Sequence, residues 1–280
     1  MSEEKEMAFL DHLEELRWHV VRAVAAIFIC MIIGFIFQKW IFDNIIFAPA
    51  NVNFPTFKWM CKFGELVGAE ESLCAKPFHF RIQSRNMTGQ FMMSITASFV
   101  IGLVIAFPYV FWEIWRFVKP ALYKKERSSS QGAVFAVSFL FLLGIAFGYY
   151  ILSPMTIWFL STYSISDVIV NEFDITSYVS TVVGMVLGCG LLFQFPVAVY
   201  FLTKVGMLTP QFMRKFRKHA IVVILIAGAI ITPSPDPFSQ LLISLPIYML
   251  FEISIFISAM VVKQKQREEE AELKADQEQA

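Results

Sequence analysis

The chain has 280 residues, of which 57% are hydrophobic and only 16% charged, with 30 phenylalanines. An ordinary soluble domain carries about 25% charged residues, so this composition excludes that class and points to repeated membrane crossing. Acids and bases balance at 23 each, so net charge names no partner, and no nucleic acid is expected.

Residues 9–19, FLDHLEELRWH, read as an amphipathic helix lying on the inner membrane surface. Asp11 suits an N-cap, with Glu14 at the capping-box spacing. Leu13, Leu16 and Val20 form one apolar stripe, and Glu15, His19 and Arg22 share another face. Glu15 is thus presented either to water, as part of a solvated charged face, or to a neighbouring helix.

Six apolar stretches follow, at 20–40, 87–111, 132–152, 178–202, 220–232 and 240–262. The first four reach the ~20 residues that cross ~30 Å of hydrocarbon. The fifth is short, and is either a span that thins the bilayer or one arm of a re-entrant hairpin with the sixth. Most of the 23 bases, among them Arg17, Arg22, Arg116, Lys119, Lys124, Lys125, Arg127, Lys204, Arg214, Lys215, Arg217 and Lys218, fall on the side that holds both ends of the chain. The positive-inside rule makes that side the cytoplasm. No cleavable signal peptide is visible.

The division expected is an N-terminal helix over 1–19, a six-span domain over 20–262 with outer loops at about 41–86 and 153–177, and a charged cytoplasmic tail over 263–280. A short helix end followed by disorder is expected in that tail. Cys61 and Cys74 share the first outer loop, which is oxidising if the protein sits in a bacterial inner membrane. A Cys61–Cys74 disulfide is predicted. Two free thiols are the alternative, because spacing does not fix Cα geometry. Pro108 predicts a kink or break near Phe107. Gly144 and Gly148, and again Gly184 and Gly188, have the spacing that lets helices approach closely.

The stretch 107–127, FPYVFWEIWRFVKPALYKKER, passes from apolar through aromatic to basic, as a helix leaving a bilayer would. Glu126 is the one acid within its basic end. Gln194 lies at membrane depth before Pro196 and either bonds the backbone freed by that proline or meets a partner helix. Glu252 lies within the last stretch, where a carboxylate must be paired, protonated or functional. A partner on another helix is preferred to a transported proton. No phosphate loop, HExxH or GxSxG is present, and no cofactor, metal or enzyme activity is expected. The remaining classes are a small-solute secondary transporter, which needs more intramembrane charge than this chain has, and a receptor for protein partners.

HLEELR at 12–17, WRFVKPALYKKER at 115–127, FPVA at 195–198, TPSPDPFSQ at 232–240 and LFEI at 250–253 occur in that order. In this the chain resembles the TatC family, the multi-spanning receptor subunit of the twin-arginine protein translocase. The resemblance implies an all-α membrane protein of six helices in a cupped bundle with both termini in the cytoplasm. It implies binding of twin-arginine signal peptides of folded cargo, single-span TatA/TatB-type subunits as partners, lipid contact and an oligomeric complex. The signal-peptide-binding set it implies is Glu15, Arg17, Phe117, Glu126 and Arg127, with Glu126 as the main acid and Glu15 as its support. Pro49 matches a structural proline, and Asp236 and Glu252 match positions of polar importance. Gln194 departs from the buried glutamate of many family members, and a neutral amide has no proton-titrating role there.

Overall fold

With no water to take backbone hydrogen bonds, an apolar chain at membrane depth must satisfy them within itself, and helices do so. The computed structural model describes residues 9–68, 80–118, 130–166, 168–231 and 237–279. Its helices are α1 (Phe9–Ile36), α2 (Pro55–Val67), α3 (Gly89–Val118), α4 (Ser130–Phe147), α5 (Ser153–Thr162), α6 (Ile175–Leu192), α7 (Phe195–Lys204), α8 (Pro210–Lys215), α9 (Arg217–Ile231) and α10 (Pro237–Gln279). Shorter turns at Gln38–Ile41, Phe42–Ile46 and Ala48–Ala50 follow α1, and the wider turn Gly148–Leu152 joins α4 to α5. Among the described residues five segments are long and apolar enough to cross a membrane: 14–36, 89–117, 134–162, 175–204 and 239–267. At 15 residues, α9 is the short sixth apolar helix. The protein is an α-helical, multi-pass membrane protein.

The structure departs from the sequence expectations at several points. No break separates the surface helix expected at 9–19 from the first span: α1 is continuous and already contains Asp11, expected as its cap. Residues 17–22 hold no glycine or proline, and nothing there stops a helix. Pro108 lies inside α3, which runs through it unbroken. A proline removes only one helix bond, and packing against neighbouring helices tolerates the loss at membrane depth. The third span extends to Thr162 instead of ending near 152, so the second outer loop is shorter than expected. Its extension crosses Pro154 directly after the wider turn Gly148–Leu152, the kind of local widening that accommodates a proline in a helix, and Ser153 Oγ donates to the Gly148 carbonyl 2.8 Å away. Last, α10 continues through the tail to Gln279 where disorder was expected. The tail is rich in Glu, Lys, Gln and Ala, all strong helix formers.

An element absent from the sequence reading is a short parallel ladder of β1 (Arg81–Gln83) and β2 (Glu172–Asp174). Gln83 Nε2 donates to Glu172 Oε2 at 2.8 Å, and Asp174 accepts from the Arg85 and Thr176 amides.

The chain divides into two compact units, Met1–Leu142 with Ile157–Val183, and Leu143–Thr156 with Gly184–Ala280. In the first, α1 packs along α3 over small residues. A methyl added to Gly102 would sit 2.6 Å from the Met31 amide nitrogen, so only glycine permits this approach. Pro49 is fully buried in the turn Ala48–Ala50, and Tyr178 donates to the nearby Ile46 carbonyl at 2.9 Å. In the second unit, Leu152, Met185, Cys189, Val199, Ile243, Ile247 and Phe251 form the core. Gly144 and Gly148 fit closely against Cys189 and Val186, as the spacing predicts, and Gly188 fits against Ile231. Gly184 faces open space. Cys61 is disulfide-bonded and Cys30 and Cys189 are free, while Cys74, the expected partner of Cys61, lies outside the described residues.

Candidate functional site

The polar site begins with Glu113, a carboxylate buried within the aromatic band of α3 with its side chain 1% exposed. Such a group is costly unless several partners offset its lost hydration. Glu113 has them. His19 Nδ1 on α1 lies 2.5 Å from Oε2, with the ring nitrogen as donor because a carboxylate only accepts. Tyr109, one helical turn earlier, donates its hydroxyl to Oε1 at 2.9 Å. Arg22 Nη1 stands 3.7 Å from Oε2, and Arg116 Nη1 3.8 Å from Oε1. The Arg116 guanidinium also lies over the Trp112 ring, 4.8 Å from its centre.

His19 is the joint of this cluster. Its side chain is 8% exposed, and its second nitrogen, Nε2, points toward Glu15 Oε1 at 4.0 Å. Glu15 is 41% exposed, so one carboxylate reaches water and the other is enclosed, with an imidazole between them. The Phe117 ring stands 6.2 Å from the His19 ring. The structure therefore gathers Glu15 and Phe117, both anticipated, around His19. Arg17 is exposed and stacks on Trp18 at 5.7 Å, outside this cluster. Glu126 and Arg127 lie outside the described residues, as does Asp236.

Sequence reading missed Glu113. The signal was present: stepping back from Glu113 by seven and eleven residues reaches Ala106 and Gly102, both small, and a polar group on a small-residue stripe faces a neighbouring helix. Arg22 and His19 were placed on the correct face, without a partner across it.

The intramembrane acid that was anticipated, Glu252, is differently held. Arg217 Nη2, at the start of α9, bonds Glu252 Oε2 of α10 at 2.6 Å, and Tyr248 donates to Oε1 at 3.1 Å. Its partner is thus another helix of the same chain. Gln194 sits at the break between α6 and α7, where its backbone carbonyl accepts from the Val197 and Ala198 amides, each at 3.0 Å, and its side chain does not cap α7. Pro196 is the second residue of α7, so the break is a helix restart. Among the described residues no group of three or more His, Cys, Asp or Glu is placed to hold a metal ion.

The helices and the site are those of a multi-pass membrane protein with one acid open and one enclosed where two of its helices meet. Residues 11–246 match the family of the Sec-independent protein translocase protein, TatC. The TatC protein of Blattabacterium is 40% identical over 94% of this chain and 99% of its own length. That of Aquifex aeolicus is 29% identical over 95% of this chain and all of its own. The fold is similar to a crystal structure of the twin arginine translocase receptor TatC, with a TM-score of 0.68 and 28% identity, covering 90% of this chain and 99% of that one. The chain belongs to the TatC family. A small-solute transporter, the other class considered, is not favoured.

Proposed function

We propose that this protein is the signal-peptide receptor subunit of a twin-arginine translocase in a bacterial inner membrane, with both termini in the cytoplasm. The observation that carries the reading is the half-exposed Glu15 carboxylate, facing His19, whose ring also meets Phe117 where α1 packs on α3. An open carboxylate on a rigid pair of helices suits an incoming guanidinium, which donates in a planar fork that an ammonium cannot reproduce. Glu126, Arg127 and Arg17 complete the proposed binding set, and the apolar part of the signal follows the helix surfaces into the membrane. Single-span TatA/TatB-type subunits are the proposed partners, in an oligomeric complex with lipid around it.

The test is crosslinking of a signal peptide to the protein in membranes. A charge-assisted hydrogen bond is worth about 1.5–3 kcal/mol, so Glu15→Gln or Glu126→Gln should each lower capture of an Arg-Arg peptide by roughly ten- to a hundredfold. Equal capture of Arg-Arg and Lys-Lys peptides by the unaltered protein would sink the reading.

A further inference from the structure

The enclosed carboxylate has no direct role open to it as a ligand. At 1% exposure, Glu113 does not meet an incoming peptide, and its oxygens are already engaged by His19 and Tyr109. Yet it is linked to the open acid. His19 offers one nitrogen to Glu113 at 2.5 Å and turns the other toward Glu15 at 4.0 Å. An imidazole has one ring plane, and fixing one nitrogen fixes the direction of the second. Because His19 and Glu15 lie one helical turn apart on α1, the bond to Glu113 also sets how that turn sits against α3.

The charges around Glu113 point the same way. Arg22 and Arg116 lie within 3.7 and 3.8 Å of it, and both are about half exposed. Without the enclosed carboxylate these guanidiniums would lose their acid. Among the described residues of the cluster the one other acid is Glu15.

We infer that Glu113 is a positioning residue of the receptor site: through His19 it orients Glu15, and by engaging Arg22 and Arg116 it leaves Glu15 free for an arginine brought by a partner. This rests on the signal-peptide reading, with Glu113 itself never touching the peptide.

The coupling predicts a particular pattern in variants. Glu113→Gln keeps the shape but removes the carboxylate, and should lower Arg-Arg peptide capture about tenfold, the scale of one charge-assisted hydrogen bond. His19→Phe should do the same. The double variant should be no weaker than the poorer single, because both changes cut one chain of contacts. Glu113→Asp, which returns a carboxylate, should recover most of the capture. Amide hydrogen exchange supplies a readout that needs no peptide: Glu113→Gln should speed exchange over residues 15–22 and leave 240–262 at the rate of the unaltered protein. Multiplying losses in the double variant would overturn the inference, as would unchanged exchange at 15–22 or a uniform rise across both segments. Should the unaltered protein fail to prefer Arg-Arg over Lys-Lys, the signal-peptide reading falls, while the exchange measurement still decides whether Glu113 sets the turn that carries Glu15.

Discussion

Two carboxylates in this protein share a local plan and meet different fates. Glu113 on α3 and Glu252 on α10 each accept a hydroxyl from a tyrosine four residues earlier, Tyr109 at 2.9 Å and Tyr248 at 3.1 Å. Each also has arginine nearby. Glu113 is 1% exposed and Glu252 34%. The cause lies two and three turns upstream. The face of α3 that leads to Glu113 carries Ala106 and Gly102, and α1 closes over it. The matching positions on α10 are Leu245 and Leu241, which stay exposed at 64% and 68%. Small residues admit a helix; large ones leave the face to lipid. The same tyrosine–glutamate step becomes an enclosed structural joint in one place and an open ion pair in the other.

The strongest way to break this contrast is to remove the enclosed acid. Glu113→Ala leaves His19 facing a cavity and two arginines without their acid, and should cost about 3 kcal/mol of stability, the scale of breaking one side of a buried ion pair. Denaturant unfolding in detergent would read it, and a loss below 1 kcal/mol would place Glu113 among ordinary surface acids. Next is the approach that encloses it. A methyl at Gly102 would meet Met31 backbone atoms at 2.6 and 2.9 Å, which cannot swing aside as a side chain can. Gly102→Ala should therefore separate α1 from α3 and cost about 1–3 kcal/mol, the usual penalty of overpacking. It should also speed exchange at His19, which a purely local clash would leave alone.

Glu252→Gln should matter less. A polar contact between helices in a membrane is worth about 0.6 kcal/mol on average and at most about 1.7, and both side chains of this pair are only partly enclosed. A loss as large as that of Glu113→Ala would end the distinction between the two acids. The smallest effect is expected at Asp174, a partly exposed carboxylate at the end of β2. The Thr176 hydroxyl, the Thr176 amide and the Arg85 amide hold its pKa below the ordinary value. The group is thus more acidic folded than unfolded. Its contribution is present above the usual aspartate range and is lost as pH falls through the lowered folded value. Exchange at β1 and β2, corrected for intrinsic rates, should rise on acidification in the unaltered protein and be insensitive in Asp174→Asn.

Much of the helix plan was legible because hydropathy and length suffice for it: all five long spans fall on anticipated stretches, and the shortness of α9 was anticipated. The ends of the helices were read less well. A continuous α1 and a third span reaching Thr162 reflect helix propagation through residues that do not forbid it, and the helical tail is carried by strong helix formers. At the site, Glu15 and Phe117 were named in advance, but Glu113 was passed over as one more residue in an aromatic band. Glu252 was expected to find a partner on another helix, and it does, in Arg217.

Apolar runs, basic flanks and motifs in order determined that this chain crosses a membrane repeatedly and belongs with the protein translocases, since each of these is a property of consecutive residues. Tertiary structure decided which acids are enclosed, that β1 pairs with β2 far along the chain, Arg81 opposite Glu172, and that His19 stands between Glu15 and Glu113. Those facts depend on which helix face meets which neighbour. That choice is made by small residues such as Gly102, whose effect appears only when a second helix comes to lie against them.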